Sequence, residues 1–254
     1  MFFEVNAISK RFGGLTAVAD ISFSIDRGEI VGIFGPNGSG KTTLLNLISG
    51  IYQPTAGQLI WKDHPLNGLP PHHVAELGIV KTFQNPKLFQ ELSVAEHVWI
   101  AAHLRLKRAL GVRRIITLIR PARHDETLRR QVESVLRLCR LTELRDEPAA
   151  SLSYGNEKML GVAMALMCEP ELLLLDEPTT GLGHDEIQNL NGVLRDLREH
   201  GTTLCIIDHK VAFLGALADR AIAMHHGSKI AEGPPAAVLD DAAVIEAYLG
   251  RQNA

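Results

Sequence analysis

Gly35-Pro36-Asn37-Gly38-Ser39-Gly40-Lys41-Thr42 is the stretch that decides how this chain folds. It matches G-x-x-x-x-G-K-[ST]. A β-rich run, Glu29 to Phe34, leads into it, and a helical pattern from Lys41 to Ser49 follows and stops at Gly50. Glycines permit positive φ, so successive backbone N–H groups can turn inward onto phosphate oxygens. Lys41 places a cation between β- and γ-phosphates, the Thr42 hydroxyl can ligate Mg²⁺, and the helix directs its positive end at the same anion. Thr43 completes the expected nucleotide-binding set. A chance glycine-rich turn is the bland alternative, and the strand before, the helix after and Lys-Thr in register argue against it.

The second element is Leu172-Leu173-Leu174-Leu175-Asp176-Glu177-Pro178. Four apolar residues suit a buried strand, and a carboxylate at its C-terminal end falls where open α/β sheets bind ligands. Asp176 is expected to hold Mg²⁺ and Glu177 to orient and polarise an attacking water. Four leucines and two acids mean little alone, but a phosphate loop upstream gives them weight.

The bulk numbers fit one large α/β domain or two small ones. The chain has 254 residues, 46% hydrophobic and 22% charged, with a net charge of −3. That balance argues against disorder and gives no drive toward nucleic acid or anionic lipid. Cys139, Cys168 and Cys205 are scattered and lack C-x-x-C spacing, which disfavours a disulfide framework or zinc site and favours a reducing cytosol. Neither a signal peptide nor an apolar run long enough to span a membrane is evident.

Runs from Phe3 to Ile8, Ile21 to Ile25, Gln58 to Lys62 and Gly78 to Phe83 also read as strands, with turns at Gly13-Gly14 and Asp26-Arg27-Gly28. From Ser93 to Glu169 the pattern is helical, opening on the capping-box pair Ser93 and Glu96. Within it, helices are expected at Asp125 to Arg140 and Gly155 to Cys168. Alternation then returns: strand Glu171 to Leu175, helix Asp185 to His200, strand Thr203 to Ile207, another helix. The expected fold is α/β, a mostly parallel sheet with an antiparallel β subdomain and a helical insertion. Residues 1–84 and 170–232 are assigned to the core, 85–169 to the helical part and 233–254 to a tail. Leu104 to Arg123 interleaves seven Arg and Lys residues with apolar ones. A solvated helical face is the preferred reading over a patch lying on an anionic leaflet.

Leu152-Ser153-Tyr154-Gly155-Asn156 resembles the LSGGQ signature of ATP-binding-cassette (ABC) proteins. By the same resemblance Gln84 matches the Q-loop glutamine and a further Mg²⁺ ligand, and His209 the switch histidine that contacts the γ-phosphate. Phe12 matches the aromatic that stacks on adenine, with Val18 close behind, and Thr180-Gly181-Leu182-Gly183 the D-loop. Taken singly, Gln84, His209 and Phe12 would read as surface or capping residues; their order around two strong motifs reverses that. The resemblance covers nearly the whole chain and implies a P-loop NTPase core in the ABC ATPase fold. It also implies Mg-dependent ATP hydrolysis in a head-to-tail dimer. There Ser153, Gly155 and Asn156 would face the ATP of the partner subunit. Tyr154 and Asn156 depart from the signature's glycine and glutamine, and Gly183 from the usual Asp or Asn.

Lys10-Arg11-Phe12-Gly13-Gly14-Leu15, Val80 to Gln84, Leu88 to Val94 and the tail Val244 to Gly250 resemble the ATP-binding subunit of high-affinity branched-chain amino acid importers. That family implies a second ATPase subunit, identical or paralogous, transmembrane permease subunits, and indirectly a substrate-binding protein. It places the chain at the cytoplasmic face of the inner membrane. Two other readings are carried: the ATPase of a lipopolysaccharide exporter, and a non-transport ABC ATPase acting on ribosomes or DNA. The single cassette, the negative charge and the absence of heptads weigh against the last.

Overall fold

The strand β3 (Ile30–Phe34) ends on the loop quoted above, and all five of its residues are buried. That is the pattern of a parallel strand covered on both faces. The computed structural model of the chain describes residues 2–84, 86–110 and 126–249, with the side chains of 103–110 and 249 excepted. The basic stretch Leu104 to Arg123 therefore lies outside the described side chains.

Contacts group the chain into two compact units, one of residues 1–81, 171–180 and 198–254, the other of 82–170 and 181–197. The expected division instead gave 181–197 to the core and set 233–254 apart as a tail.

The first unit holds two sheets. One is antiparallel, built from β1 (Phe3–Phe12), β2 (Leu15–Ile25), β4 (Ala56–Trp61) and β5 (His64–Pro65) in the order β2-β1-β4-β5. The other runs β10-β9-β3-β8-β7-β6, adding β6 (Ile79–Lys81), β7 (Leu172–Asp176), β8 (Thr203–Ile207), β9 (Arg220–His225) and β10 (Ser228–Gly233). Its pairings are parallel except at the β9–β10 hairpin. Every residue of β7 and β8 is buried, as the leucine run and the Thr203 to Ile207 run predict. Between the sheets' side chains, Phe3, Ile8, Ile25, Ile33, Leu44 and Trp61 belong to one apolar cluster. The Trp61 indole N–H is satisfied by the Leu77 carbonyl at 3.0 Å. The Arg220 guanidinium joins strands by donating to Glu29 at 2.8 and 3.0 Å, to Glu232 and to the Ser24 carbonyl. Because the strands run parallel, the C-terminal ends of β3, β7, β8 and β9 share one edge, and the loops that matter leave from it.

The second unit is helical. Val94–Leu110, Glu126–Leu138 and Tyr154–Leu166 fall in it, with most of His184–Glu199. The capping box forms as expected: Glu96 N–H donates to Ser93 Oγ at 3.2 Å, and Ser93 N–H to Glu96 Oε2 at 2.9 Å. Leu128, Val132 and Leu136 recur every four residues and are buried. His97, fully buried, accepts from the Phe89 N–H on Nε2 at 2.9 Å, so its Nδ1–H donates to the Ser93 carbonyl at 2.8 Å. That imidazole is structural, both ring nitrogens being spent on backbone groups.

Candidate nucleotide site

The loop after β3 is shaped by two glycines in the left-handed region, Gly38 at φ 80 and Gly40 at φ 97. A Cβ on Gly40 would stand 2.3 Å from the Ala17 carbonyl oxygen, so only glycine fits. Gly40 is also the N-cap of the helix Lys41–Ile48 and supplies no side-chain cap. The helix's first N–H groups therefore turn toward the loop's concavity, a geometry suited to an anion. Lys41 is 5% exposed, and its Nζ donates to the carbonyls of Gly35 at 2.9 Å and Pro36 at 3.0 Å.

A cavity of about 660 Å³ opens over this loop. Asn37, Gly38, Gly40, Lys41, Thr42 and Thr43 form its floor, and Glu177 stands on the wall. Ser39 is buried beneath, 2% exposed. Thr42 Oγ1 donates to Asp176 Oδ1 at 3.4 Å, and Asp176 Oδ2 receives the Lys81 ammonium at 3.0 Å. Lys81 also donates to Asn46 Oδ1 at 2.6 Å. Thus the two motifs read separately in sequence meet in space.

Glu177 has φ 48, in the left-handed region that a glutamate rarely adopts. Its N–H is held by the Ile207 carbonyl at 2.8 Å, and its Oε2 accepts from the Thr180 hydroxyl at 3.2 Å. The turn beyond it is locked by Asp208, a carboxylate with no exposed surface. Asp208 accepts the Thr179 N–H at 3.0 Å, the Thr179 hydroxyl at 2.7 and 2.8 Å, and the Lys210 N–H at 2.9 Å. His209 follows directly, its Nδ1 3.8 Å from Asp208 Oδ1 and its side chain 45% exposed.

Other expected site residues fall elsewhere. Phe12 is 40% exposed and meets the Tyr52 ring edge-on at 5.2 Å, with the Lys10 ammonium 5.1 Å over it. It stands at the end of β1 and is not in the cavity wall. Val18 is fully buried in the core, because strand alternation turns it inward; Leu15, Thr16 and Ala17 reach the cavity instead. His209 is likewise outside the cavity lining. Gln84 is exposed and belongs to the helical unit.

The signature also lies in that unit. Ser153 is the N-cap of Tyr154–Leu166, its Oγ accepting the Asn156 N–H at 3.3 Å. A Cβ on Gly155 would come 2.2 Å from Glu186 Oε1, so glycine keeps this face open to the carboxylate. Glu186 Oε2 in turn accepts the Gly183 N–H at 2.9 Å. Tyr154, the departure from the family's glycine, has a local reason: its ring lies where a Cβ on Gly181 would be, 2.5 Å from Cε1. Lys158, only 9% exposed, caps the ring's face at 5.2 Å.

Sequence reasoning missed Lys81, Thr179, Asp208 and His226 as parts of the site. Asp208 carried a signal, an acid beside the candidate switch histidine at the end of a core strand.

A lysine on a phosphate loop, a hydroxyl and a carboxylate in contact beside it, and a second carboxylate on the cavity wall define a P-loop nucleotide hydrolase. The family follows from the whole chain. A family model described as ABC transporter matches residues 18–180, and one described as branched-chain amino acid ATP-binding cassette transporter matches residues 228–253. The chain is 36% identical over 248 residues to the high-affinity branched-chain amino acid transport ATP-binding protein LivG of Escherichia coli (strain K12), covering 97% of each. It is 32% identical over 249 residues to the lipopolysaccharide export system ATP-binding protein LptB of Acidithiobacillus ferridurans, covering 98% of this chain and 97% of that one. Among solved structures, the ADP conformation of the ABC transporter cassette MJ1267 superposes with a TM-score of 0.83 at 29% identity, covering 98% of both chains. The chain belongs to the ATP-binding subunits of ABC transporters, and it is an ATPase of the ABC fold.

Proposed function

We propose that this subunit hydrolyses MgATP to drive import of branched-chain amino acids or closely related small molecules. The observation that carries the chemistry is the contact of Thr42 with Asp176 beside Lys41 and Glu177 at one cavity. The cargo rests on the relatives at the branched-chain end of the family and on the match of residues 228–253.

The donor set suits magnesium. No cluster of three or more His, Cys, Asp or Glu side chains capable of caging a metal occurs among the described residues. A hydroxyl and one carboxylate beside phosphate oxygens is how this hard, reluctantly dehydrated ion is commonly held. Bound between Thr42 and Asp176, with Gln84 as a further ligand, it would neutralise charge on the β- and γ-phosphates.

The chain's own residues then divide the work. The N–H groups from Gly38 to Thr43 cradle the phosphates, and Lys41 exchanges its loop carbonyls for phosphate oxygens. Glu177 orients water in line with the γ-phosphate, its left-handed backbone holding the carboxylate on the cavity wall. His209 and Gln84 contact the γ-phosphate region, and Phe12 takes the base. Ser153, Gly155 and Asn156 serve the ATP of a second subunit, identical or paralogous, in a head-to-tail dimer. The core of 1–84 and 170–232, the helical part of 85–169 and the tail of 233–254 act as one cassette.

No helix among the described residues is long and apolar enough to cross a membrane. The transport reading therefore requires permease subunits, with this chain on the cytoplasmic face and a substrate-binding protein beyond them. The test is reconstitution with its permeases and binding protein in vesicles. Leucine uptake should depend on ATP and stop in Glu177→Gln. ATP-dependent efflux of lipopolysaccharide without amino acid uptake would replace this reading with the exporter one.

A further inference from the structure

His226 belongs to none of the family motifs, yet it lines the same cavity as Lys41, Thr42 and Glu177. It occupies the two-residue turn of the β9–β10 hairpin, whose flanking partners are His225 and Ser228. His226 has φ 47 and Gly227 φ 83, both positive, as the tight hairpin turn matching strand twist requires.

The turn is fastened on two sides. Gly227 N–H donates to the Ser39 carbonyl of the phosphate loop at 3.0 Å, and Gly227 O accepts the Ala19 N–H of β2 at 2.8 Å. A Cβ on Gly227 would sit 3.1 Å from the Ala17 carbonyl oxygen, so the turn lies close on the strand. The His226 side chain is thereby held at the cavity by backbone bonds on both flanks. Its ring leans on His225, centroids 3.9 Å apart, and its nitrogens have no hydrogen-bond partner among the described residues.

Sheet order fixes which part of a nucleotide it would meet. On one side of β3 lie β8 and β7, and β7 ends at the carboxylate Asp176, with Glu177 the next residue. The hydrolysed γ-phosphate must face that side. The opposite neighbour of β3 is β9, which ends at His225 and runs straight into the turn that carries His226. The nucleoside end of the ligand therefore points toward the wall formed by Leu15, Thr16, Ala17 and His226. An imidazole there offers one N–H donor and one acceptor, which suit a ribose hydroxyl or a base edge.

We infer that His226 is a nucleotide-binding residue that holds the nucleoside portion of ATP from the β9–β10 turn. The inference rests on the nucleotide site proposed above.

The test uses the full chain and two ligands, ATP and inorganic tripolyphosphate, titrated calorimetrically in magnesium. His226→Gly removes the side chain while keeping positive φ unstrained, and His226→Asn keeps the turn with a shorter reach. Both should weaken ATP binding about three- to tenfold, the worth of one hydrogen bond, and leave tripolyphosphate binding unchanged. Unchanged ATP affinity overturns the inference, as does equal weakening of both ligands, which would mean a distorted loop. Lys41→Ala separates the two levels. Loss of ATP binding there with intact binding in His226→Gly sinks this inference alone; intact binding in Lys41→Ala sinks the site assignment with it.

Discussion

The Lys81 ammonium lies 3.0 Å from Asp176 Oδ2, with the two side chains only 10% and 7% exposed. The carboxylate proposed to hold a divalent cation thus already has a buried counter-charge on the next strand. Removing Lys81 strands a nearly buried charge. Lys81→Ala should cost about 3 kcal/mol in urea unfolding. Because magnesium at Asp176 would restore compensation, the rise in melting temperature on adding MgATP should be larger in the variant than in the wild type. An equal rise would argue that Asp176 does not face the metal.

Asp208 offers a second test, since two buried donors and one part-buried donor converge on it. Each orphaned donor costs about 1–3 kcal/mol, so Asp208→Ala should lose at least about 3 kcal/mol. Thr179→Val, which removes only the hydroxyl, should lose about 1 kcal/mol by the same denaturation. Both should also lower turnover, because the locked turn carries Glu177 and His209.

Glu177→Gln keeps the shape of the side chain and its contact with the Thr180 hydroxyl but removes the charge. Turnover should fall by at least about a hundredfold, the ordinary contribution of general base catalysis. MgATP affinity should stay within about twofold, and gel filtration with MgATP should show a dimer. A monomer that still hydrolyses ATP would assign the base elsewhere.

Gly155→Ala asks whether the signature face meets a partner's phosphate. The added methyl meets the end of the Glu186 side chain, which can swing away, so stability should change by less than about 1.5 kcal/mol. ATP-driven dimerisation of the Glu177→Gln background should nonetheless be lost. Dimerisation of the double variant at wild-type ATP concentrations would show that this face looks elsewhere.

Burial pushes the thiols of Cys139 and Cys205 up to about 12 from 9.0. At pH 7.5 neither should react with a thiol reagent in the folded protein, while Cys168, half-buried, reacts first. The raised values also set a stability trend. The unfolded chain loses these protons near pH 9 and the folded one only near 12, so stability is intact below 9 and falls as pH rises through that window. The slope should be at most about 1.4 kcal/mol per pH unit for each thiol. A flat profile from pH 9 to 11 would show the thiols are more open than the fold implies.

Much of this architecture was legible because its decisive pieces are contiguous. The β3 strand, its loop and the helix from Lys41 follow one another, and the Leu172 to Leu175 run announces a strand buried on both faces. What stayed hidden depends on pairing across distance. β1 pairs with β4 some fifty residues away, and nothing local to Ala56–Trp61 says so. The helix Pro71–Glu76 carries Pro71 at its start, a signal passed over. The strands β9 and β10 went unread although Gly227 marks their turn, and His226 stayed invisible with them. Lys81 and Asp208 look like ordinary polar residues until tertiary structure buries them. At Val18 the reverse holds: its nearness in sequence to Phe12 gives no hint of which way its side chain turns, and only the sheet shows it buried.

Lys41, finally, donates to two carbonyls of its own loop. A phosphate arriving there substitutes for those acceptors instead of meeting an unsatisfied cation, so the lysine contributes a difference between two bonded states. Such an exchange moderates the grip on nucleotide in both directions. When hydrolysis leaves a weaker claimant, the loop takes its lysine back, and departure of the spent nucleotide is eased by the same carbonyls that its arrival had displaced.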